Sequence, residues 1–353
     1  MAQHTERFKA FVKLGAFFRE YREPLPESQE KDKSSGGWQE KLHDVVVLAG
    51  LQNGWFTREN VGHALAAWGD ALREEKLSQW LSAYPSDRNH VKNVAVIMAG
   101  NIPLVGFHDF LSVLITGNNI HVKLASNDRT LLPFIAEYLL YLEPGFKEAV
   151  KFAEGPLKAY DAVIATGSDN TARYFNYYFG NKPHIIRKNR NSAAVLEGNE
   201  TSSELLALGW DIFAYFGLGC RNVSKLYVPE NYDFSVFLDA IKGFSEISNH
   251  RKYGNNYDYN KAVFLMSGFP IMDNGFLILK EEASYSSPIG TLYFEYYKDP
   301  EELQQKLSGE REKIQCVVGH KQMGNEIPFG ETQNPTLWDY ADGVDTVDFL
   351  LKT

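Results

Sequence analysis

Cysteine is scarce in this sequence of 353 residues, which contains only Cys220 and Cys316. Two cysteines are too few for the disulfide framework of a small secreted protein and for a zinc site built from cysteines. The first segment also lacks the unbroken apolar core of a signal peptide, because Glu6, Lys9 and Lys13 interrupt it. The sequence therefore predicts a protein of the reducing cytoplasm.

Long apolar runs and strongly basic runs are missing as well. No window approaches the roughly 18 to 20 consecutive apolar residues of a membrane-spanning helix, so no membrane span is predicted. The 36 lysine and arginine residues are outnumbered by 45 aspartate and glutamate residues, for a net charge of −9, which disfavours nucleic acid as a partner. The spacings HExxH and GxSxG are absent, so neither metal catalysis nor serine hydrolysis is expected.

The length and the 44% hydrophobic content predict two or three folded domains. Residues 5–21 carry large apolar residues at spacings of three, four and seven, and helical periodicity returns over 38–85. The stretch 22–38 between them is rich in charge, proline, serine and glycine, which predicts a polar connection. We expect residues 1–90 to form a helical region that packs on the domain that follows.

A different pattern begins at Asn93. Short apolar runs, at 94–100, 120–126, 162–168 and 184–188, alternate with segments of helical pattern. The helical segments are predicted at 105–116, at 130–152 with a break near Pro144, and at 171–179. Strands that alternate with helices predict a parallel, doubly wound α/β sheet with both faces covered. We assign residues 91–198 to this domain.

A second alternation follows, with a helix at 203–216 and strands at 225–229, 288–297 and 314–320. The stretch 257–282 is interpreted as two strands around Pro270 and a turn at 273–275. These elements predict a second α/β domain over 199–330. The last stretch, 331–353, is predicted to form a strand that docks on the fold or on a second subunit of a homo-oligomer.

Candidate ligand-binding residues follow the strands of the first sheet, because parallel α/β sheets bind ligands beyond the carboxyl ends of their strands. The turns at 100–103, 123–128 and 166–170 lie there. In the last turn, Gly167 allows close approach of the main chain, and Ser168 or Asp169 can cap a helix whose free amides suit a phosphate. The same turn also fits ordinary helix capping.

Cys220 is the strongest candidate for chemistry. It lies between a predicted helix and a strand, flanked by Gly219 and by Arg221, whose positive charge favours the thiolate. A lone cysteine also fits the role of a small buried apolar residue. Cys316 lies inside an apolar run and is expected in the core.

Taken in order, these motifs resemble the aldehyde dehydrogenase superfamily, and more narrowly its LuxC-type acyl-CoA reductases, the reductase component of bacterial fatty-acid reductase. Residues 99–128 resemble the family's N-x-P stretch, its helix ending in Gly-Asn and its V-x-K strand, and 162–175 resemble its F-T-G-S turn. Residues 213–229 resemble the segment with the nucleophilic cysteine, and 326–330 the late P-F-G motif. The resemblance spans about residues 90–350 and implies a Rossmann-like NADP-binding domain and a catalytic domain.

The resemblance implies a catalytic pair. Cys220 corresponds to the nucleophile that takes an acyl group as a thioester. Asn101, together with the main-chain amide of Cys220, corresponds to the group that stabilises the oxyanion.

It also implies cofactor-binding residues for NADPH. Lys123 corresponds to the residue that holds the adenine ribose, and Ser126 lies near it. Gly167 and Ser168 correspond to the turn that approaches the pyrophosphate.

Two departures from the family pattern stand out. The stretch with the glutamate that activates water in hydrolytic aldehyde dehydrogenases corresponds to residues 185–196, with Arg187 near the position of that glutamate, so the base for hydrolysis is missing. Arg187, Lys188 and Arg190 are interpreted as a solvated basic strand edge or as contacts to CoA or cofactor phosphates. The family's E-x-F-G-P, whose glutamate holds the nicotinamide ribose, corresponds to 281–290, where Ser284 occupies the simple offset and Glu282 is displaced by two residues.

The resemblance therefore implies reduction of an acyl-CoA by NADPH to a fatty aldehyde, with an acyl-protein synthetase as a partner. Two alternatives stay open. One is an aldehyde dehydrogenase that runs in the oxidative direction, and the other is a non-catalytic subunit that binds a partner protein.

Overall fold

The computed structural model describes residues 2–22, 37–85, 90–320 and 326–353. Most of the polar connection predicted at 22–38 lies outside the described residues. The chain forms two compact units: the first combines Met1–Lys188 with Thr336–Thr353, and the second is Asn189–Pro335. The second unit therefore begins ten residues before the start predicted at 199, and the C-terminal stretch belongs to the first unit.

The first unit contains a five-stranded sheet in the order β3-β2-β1-β4-β5, with every neighbouring pair parallel. The central strand β1 is buried at Val94, Ala95 and Val96, as expected for a sheet covered on both faces. The strands are β1 (Asn93–Ile97), β2 (Asn119–Lys123), β3 (Val150–Phe152), β4 (Ala162–Thr166) and β5 (His184–Arg187).

Helices precede this sheet and connect its strands. Aromatic side chains join the two groups: the rings of Phe17 and Tyr138 stack at 4.1 Å, and those of Trp68 and Phe107 meet edge to face at 4.6 Å. The helices are α1 (Ala2–Glu20), α2 (Trp38–Gln52), α3 (Arg58–Ala71), α4 (Glu74–Leu81), α5 (Phe107–Ile115), α6 (Leu131–Leu142) and α7 (Asp169–Phe179).

The second unit contains a six-stranded sheet in the order β11-β6-β7-β10-β9-β8, which is parallel except for the pair β8 and β9. Strand β6 pairs with β7 and β11, so residues 191–195 belong here and not to the first domain as predicted. The strands are β6 (Asn191–Val195), β7 (Val223–Pro229), β8 (Ile271–Asp273), β9 (Ile278–Glu281), β10 (Thr291–Tyr297) and β11 (Ile314–Val318).

The helices of the second unit include one that the sequence analysis missed. Residues 257–266, interpreted as strand, belong to a helix that buries Tyr253, Tyr257 and Phe264 and begins at a cap in which His250 accepts from the amide of Tyr253. The spacing of those three rings places them on one helical face. The helices are α8 (Ser202–Phe213), α9 (Phe234–Ala240), α10 (Arg251–Met266) and α11 (Pro300–Gly309).

Two further predictions were wrong. The C-terminal stretch ends in a helix, α12 (Thr346–Lys352), because Asp345 caps its first turn and Val347 and Leu350 are buried one turn apart. The helix predicted to reach Phe152 instead ends at Leu142, and the chain joins the sheet as β3.

Candidate active site

Cys220 lies in a tight turn between α8 and β7. The turn is closed by the amide of Asn222, which donates to the carbonyl of Gly219 at 3.0 Å. The Cys220 side chain is exposed, whereas Cys316 is half-buried in β11. The structure therefore presents Cys220 at the surface of its unit, where a thiol can react, and does not bury it as a core residue.

The chain reverses sharply just before this turn. Tyr215, Phe216 and Gly217 follow the end of α8 with φ values of 52°, 60° and 74°, in the left-handed region. Each non-glycine residue there costs about 1 kcal/mol or more. The Phe216 ring stacks on His250 at 4.2 Å, and Tyr215 is buried, so packing holds the strained segment in place.

Hydrogen bonds anchor the turn to two other segments of the unit. Ser192 Oγ in β6 donates to the carbonyl of Cys220 at 2.9 Å, and Arg221 Nε donates to the carbonyl of Thr332 at 2.5 Å. Thr332 is itself held by Asp211 of α8, whose carboxylate accepts from the amides of Gly330 (2.7 Å) and Thr332 (3.0 Å) and from the Thr332 hydroxyl (2.8 Å). These bonds hold the main chain around Cys220 while its side chain stays accessible.

In the first unit, the predicted residues follow β1, β2 and β4, which are neighbours in a parallel sheet and therefore share one carboxyl edge. Gly100 and Asn101 follow β1. A Cβ atom at Gly100 would lie 2.8 Å from the Cβ of Ala125, so only glycine fits this close approach. The Gly100 carbonyl accepts from the side-chain amides of Asn127 (3.1 Å) and Asn53 (3.3 Å), which fasten the turn that carries Asn101.

Lys123 ends β2 at the same edge. Its ammonium group donates to the carbonyls of Glu154 (2.7 Å) and Gly155 (3.2 Å), and Ser126 is exposed three residues further on. Asp128 lies in the turn at 123–128 but was not named as a candidate residue from the sequence. Burial raises the pKa of Asp128 to about 6, and its Oδ1 atom has no hydrogen-bond partner among the described residues.

Gly167 and Ser168 follow β4. Ser168 is the N-cap of α7, and its hydroxyl accepts from the amide of Thr171 at 3.3 Å. The predicted capping role of Ser168 is therefore confirmed, and the phosphate-binding role stays a prediction.

Glu282 is not brought to the end of the sheet where Cys220 lies. Cys220 precedes the amino end of β7, whereas Glu282 follows Glu281, the last residue of β9. Glu281 pairs with Phe294 of β10, and Phe294 pairs in turn with Leu226 of β7. The level of Glu282 therefore lies four residues along β7 from its amino end, a distance of about 13 Å. Lys280 binds the Glu282 carboxylate at 2.7 Å and is the main cause of its lowered pKa. The geometry thus gives no support to a role for Glu282 beside Cys220.

The burial of Arg187 contradicts the expectation that this residue belongs to a solvated basic strand edge. Its side chain is only 7% exposed, Nη1 binds the Asp109 carboxylate at 2.5 Å, and Nη2 donates to Thr346 Oγ1 at 3.0 Å. Asp109 lies in α5 and is 7% exposed as well. Arg187 is therefore an internal ion-pair partner of the first unit, engaged with protein groups and not with solvent.

Two further features concern cofactors and membranes. No group of three or more histidine, cysteine, aspartate or glutamate side chains in the described ranges is arranged to hold a metal ion. Across the same ranges, no helix is both long enough and apolar enough to cross a membrane.

Comparisons of sequence and of structure give different results. No protein-family model and no curated protein matches the sequence. Solved structures do match: a putative aldehyde dehydrogenase from Burkholderia cenocepacia has a TM-score of 0.62 at 13% identity over 87% of this chain and 72% of its own. Aldehyde dehydrogenase 21 from Physcomitrella patens, in complex with the reaction product succinate, has a TM-score of 0.61 at 13% identity over 86% and 70%.

A third similar structure contains a nucleotide. The Delta-pyrroline-5-carboxylate dehydrogenase from Mycobacterium tuberculosis bound with NAD has a TM-score of 0.58 at 13% identity, over 91% of this chain and 68% of its own. At such low identity the likeness concerns the fold. The two α/β units, with Cys220 on the turn before a strand of the second, therefore have the fold of the aldehyde dehydrogenases.

Proposed function

We propose that this protein is an NADPH-dependent acyl-CoA reductase in which Cys220 is the nucleophile. The observation that carries the proposal is the exposed thiol of Cys220 on an anchored turn, within an aldehyde dehydrogenase fold. A reactive thiol must be reachable and ionisable, and the neighbouring Arg221 adds positive charge to its surroundings.

The proposed reaction has two steps. The Cys220 thiolate attacks the acyl-CoA carbonyl, the carbon–sulfur bond to CoA breaks, and CoA leaves as a thiol after taking up a proton. NADPH supplies the hydride that, with a further proton taken up by the enzyme, converts the Cys220 thioester into aldehyde and free thiol. Asn101 and the main-chain amide of Cys220 are the proposed donors to the tetrahedral oxyanion in both steps.

The cofactor residues are proposed from the first unit. Gly100 lets the turn at 125–128 pack closely at the shared carboxyl edge, the N-terminus of α7 offers amides to a pyrophosphate, and Lys123 supplies a cation at the end of β2. We assign Lys123 and Ser126 to the adenine ribose and Gly167 with Ser168 to the pyrophosphate. These donors suit a dinucleotide, and the preference for NADPH over NADH is part of the proposal.

Arg187 supports reduction over hydrolysis. It lies near the position where the family resemblance gives hydrolytic enzymes their water-activating glutamate, and it is a buried cation bound to Asp109. A guanidinium group stays protonated in proteins and does not act as a general base. A Cys220 thioester without that base is expected to survive until hydride arrives.

The substrate and the setting complete the proposal. Following the LuxC-type resemblance, we propose a long-chain fatty acyl-CoA as substrate and an acyl-protein synthetase as a partner. The scarcity of cysteine leads us to propose the cytoplasm as location. A homo-oligomer is also proposed, although the C-terminal strand expected to support it is the helix α12 of the first unit.

Product analysis tests the reaction type. Incubation with a long-chain acyl-CoA and NADPH is expected to yield fatty aldehyde, CoA and NADP⁺ in equal amounts. Incubation of the aldehyde with NADP⁺ but without CoA is expected to give little free acid. Rapid formation of free acid would contradict the reductase proposal and favour an aldehyde dehydrogenase of the oxidative direction.

A pair of variants tests the cofactor assignment. Lys123→Met is expected to raise the NADPH dissociation constant about tenfold, because a hydrogen bond from a charged group is lost. Glu282→Gln is expected to change it less than about twofold, since Lys280 and the amides of Ala283 and Ser284 already engage Glu282. Titration of NADPH fluorescence measures both, and the reverse ranking would restore the role predicted for Glu282.

A further inference from the structure

Asn222 closes the turn that carries Cys220. Its side-chain Oδ1 accepts from the amide of Gly219 at 2.8 Å, in addition to the main-chain bond from its own amide to the Gly219 carbonyl. Its Nδ2 donates to the carbonyls of Asp211 (3.0 Å) and Ala214 (2.9 Å) at the end of α8. Carbonyls in the last turn of a helix lack intrahelical partners, and Asn222 is only 2% exposed. One buried side chain thus joins the turn to the helix before it.

The main-chain bond from the Asn222 amide fixes the peptide plane between Gly219 and Cys220, and the side-chain bonds hold Asn222 in the place from which its amide donates. A trans peptide is planar, so the carbonyl of Gly219 and the amide of Cys220 point in opposite directions. The amide of Asn222 holds that carbonyl inside the turn. The N–H of Cys220 is therefore directed away from the interior of the turn.

We propose that Asn222 is a positioning residue that sets the direction of the Cys220 amide for oxyanion stabilisation. The inference rests on the proposed function, in which that amide donates to the tetrahedral oxyanion. Donors of this kind contribute to catalysis because they are oriented before charge develops. Asn222 acts through the main chain and not on the substrate.

Loss of the side chain should release this orientation. Asn222→Ala removes three hydrogen bonds and leaves the amide of Gly219 and two helix-end carbonyls to find other partners. The main-chain bond from residue 222 to the Gly219 carbonyl can still form, but residue 222 is no longer held to α8 and to the Gly219 amide. The peptide between Gly219 and Cys220 then rotates more freely. The thiol itself remains, because nothing in the change alters the Cys220 side chain.

Two reactions of the Cys220 thiol distinguish the orientation of the Cys220 amide from the reactivity of the thiol itself. Acylation by p-nitrophenyl acetate passes through a tetrahedral oxyanion before p-nitrophenolate leaves, whereas alkylation by iodoacetamide displaces iodide without one. Both need the thiolate, so their ratio removes the effect of the thiol pKa. Asn222→Ala is expected to lower acylation of Cys220 about 100-fold and alkylation less than threefold, with each adduct located by peptide mass spectrometry.

Asn260→Ala is the matched control. Asn260 lies in α10 of the same unit and donates to the carbonyl of Ile289 at 2.9 Å, so the variant also removes a side-chain bond to the main chain. Both rates are expected to stay within twofold of the wild type. An unchanged ratio in Asn222→Ala, or an equal fall in both rates, would overturn the positioning role.

Asn222→Asp keeps the test decisive if the alanine variant does not fold. It retains the acceptor for the Gly219 amide and, when protonated, one donor. Its ratio of acylation to alkylation is expected to recover as the pH is lowered from 8 to 6, and a wild-type ratio at every pH contradicts the proposal. A wild-type protein that reacts with the ester but with no acyl-CoA would refute the proposed substrate and leave the role of Asn222 standing.

Discussion

Replacing Cys220 by alanine is expected to lower aldehyde formation by about 10⁴-fold or more. The proposed reaction passes through a thioester on this sulfur, and removing a nucleophile removes the covalent route entirely. Single-turnover formation of aldehyde from a long-chain acyl-CoA and NADPH measures the loss. A variant that kept more than about a tenth of the wild-type rate would exclude Cys220 as the nucleophile.

The second cysteine is the natural control for this experiment. Cys316 is half-buried in β11, and its Sγ lies 3.0 Å from the Oγ of Ser192, which also donates to the carbonyl of Cys220. Cys316→Ala is expected to change the rate less than about threefold, since the bond from Ser192 to Cys220 is kept. NADPH should bind to Cys220→Ala normally, because the residues proposed to hold it lie in the first unit.

Replacing Arg187 by methionine is expected to destabilise the first unit by about 3–5 kcal/mol. The change leaves the Asp109 carboxylate buried without its cation and removes the bond to Thr346, which ties β5 to the start of α12. A buried charge without a partner is far more costly than the same pair intact. The effect is much larger than that of an exposed ion pair, which contributes about 0–1 kcal/mol.

A double variant distinguishes the loss of the ion pair between Arg187 and Asp109 from the loss of side-chain packing. Arg187→Met with Asp109→Leu removes both charges and is expected to recover most of the stability, because apolar replacements for a buried pair are often neutral. Urea unfolding followed by tryptophan fluorescence reports on the first unit, since only Trp210 of the six tryptophans falls in the second. Equal destabilisation by the single and the double variant would contradict a dominant role for the ion pair.

The alternation of strands and helices was readable from the sequence because the buried strands are short, apolar and bounded by turns. Residues 94–97 and 162–166 lie in the strands expected there, and the predicted doubly wound sheet is confirmed. Burial on both faces leaves little freedom in residue choice, so composition alone marks such strands.

The elements that the sequence analysis missed depend on tertiary packing. The run 261–266 is as apolar as a strand, yet it extends a helix whose buried rings begin at Tyr253, outside the run. The C-terminal stretch has the composition of an edge strand, but Asp345 caps it as a helix. Residues 191–195 are a typical buried strand, and only the pairing with β7 and β11 assigns them to the second sheet.

In the candidate site, too, some features could be predicted from the sequence and others depend on tertiary packing. Cys220 could be singled out from the sequence because it lies in a predicted turn beside Arg221, whose charge favours the thiolate. The burial of Arg187 could not, because it depends on Asp109, which lies 78 positions earlier. The bonds of Asn222 to the end of α8 were equally invisible in the sequence. Residue type indicates chemistry, but partners distant in sequence decide what each group does.

The most direct test of the account is the intact mass of the protein after incubation with a long-chain acyl-CoA, before and after NADPH is added. We expect a mass increase of one acyl group on the wild type and none on Cys220→Ala. NADPH should then remove the adduct and release an equal amount of aldehyde. An adduct that forms equally on Cys220→Ala, or no adduct with any acyl-CoA, would contradict the proposed thioester and the reductase function with it.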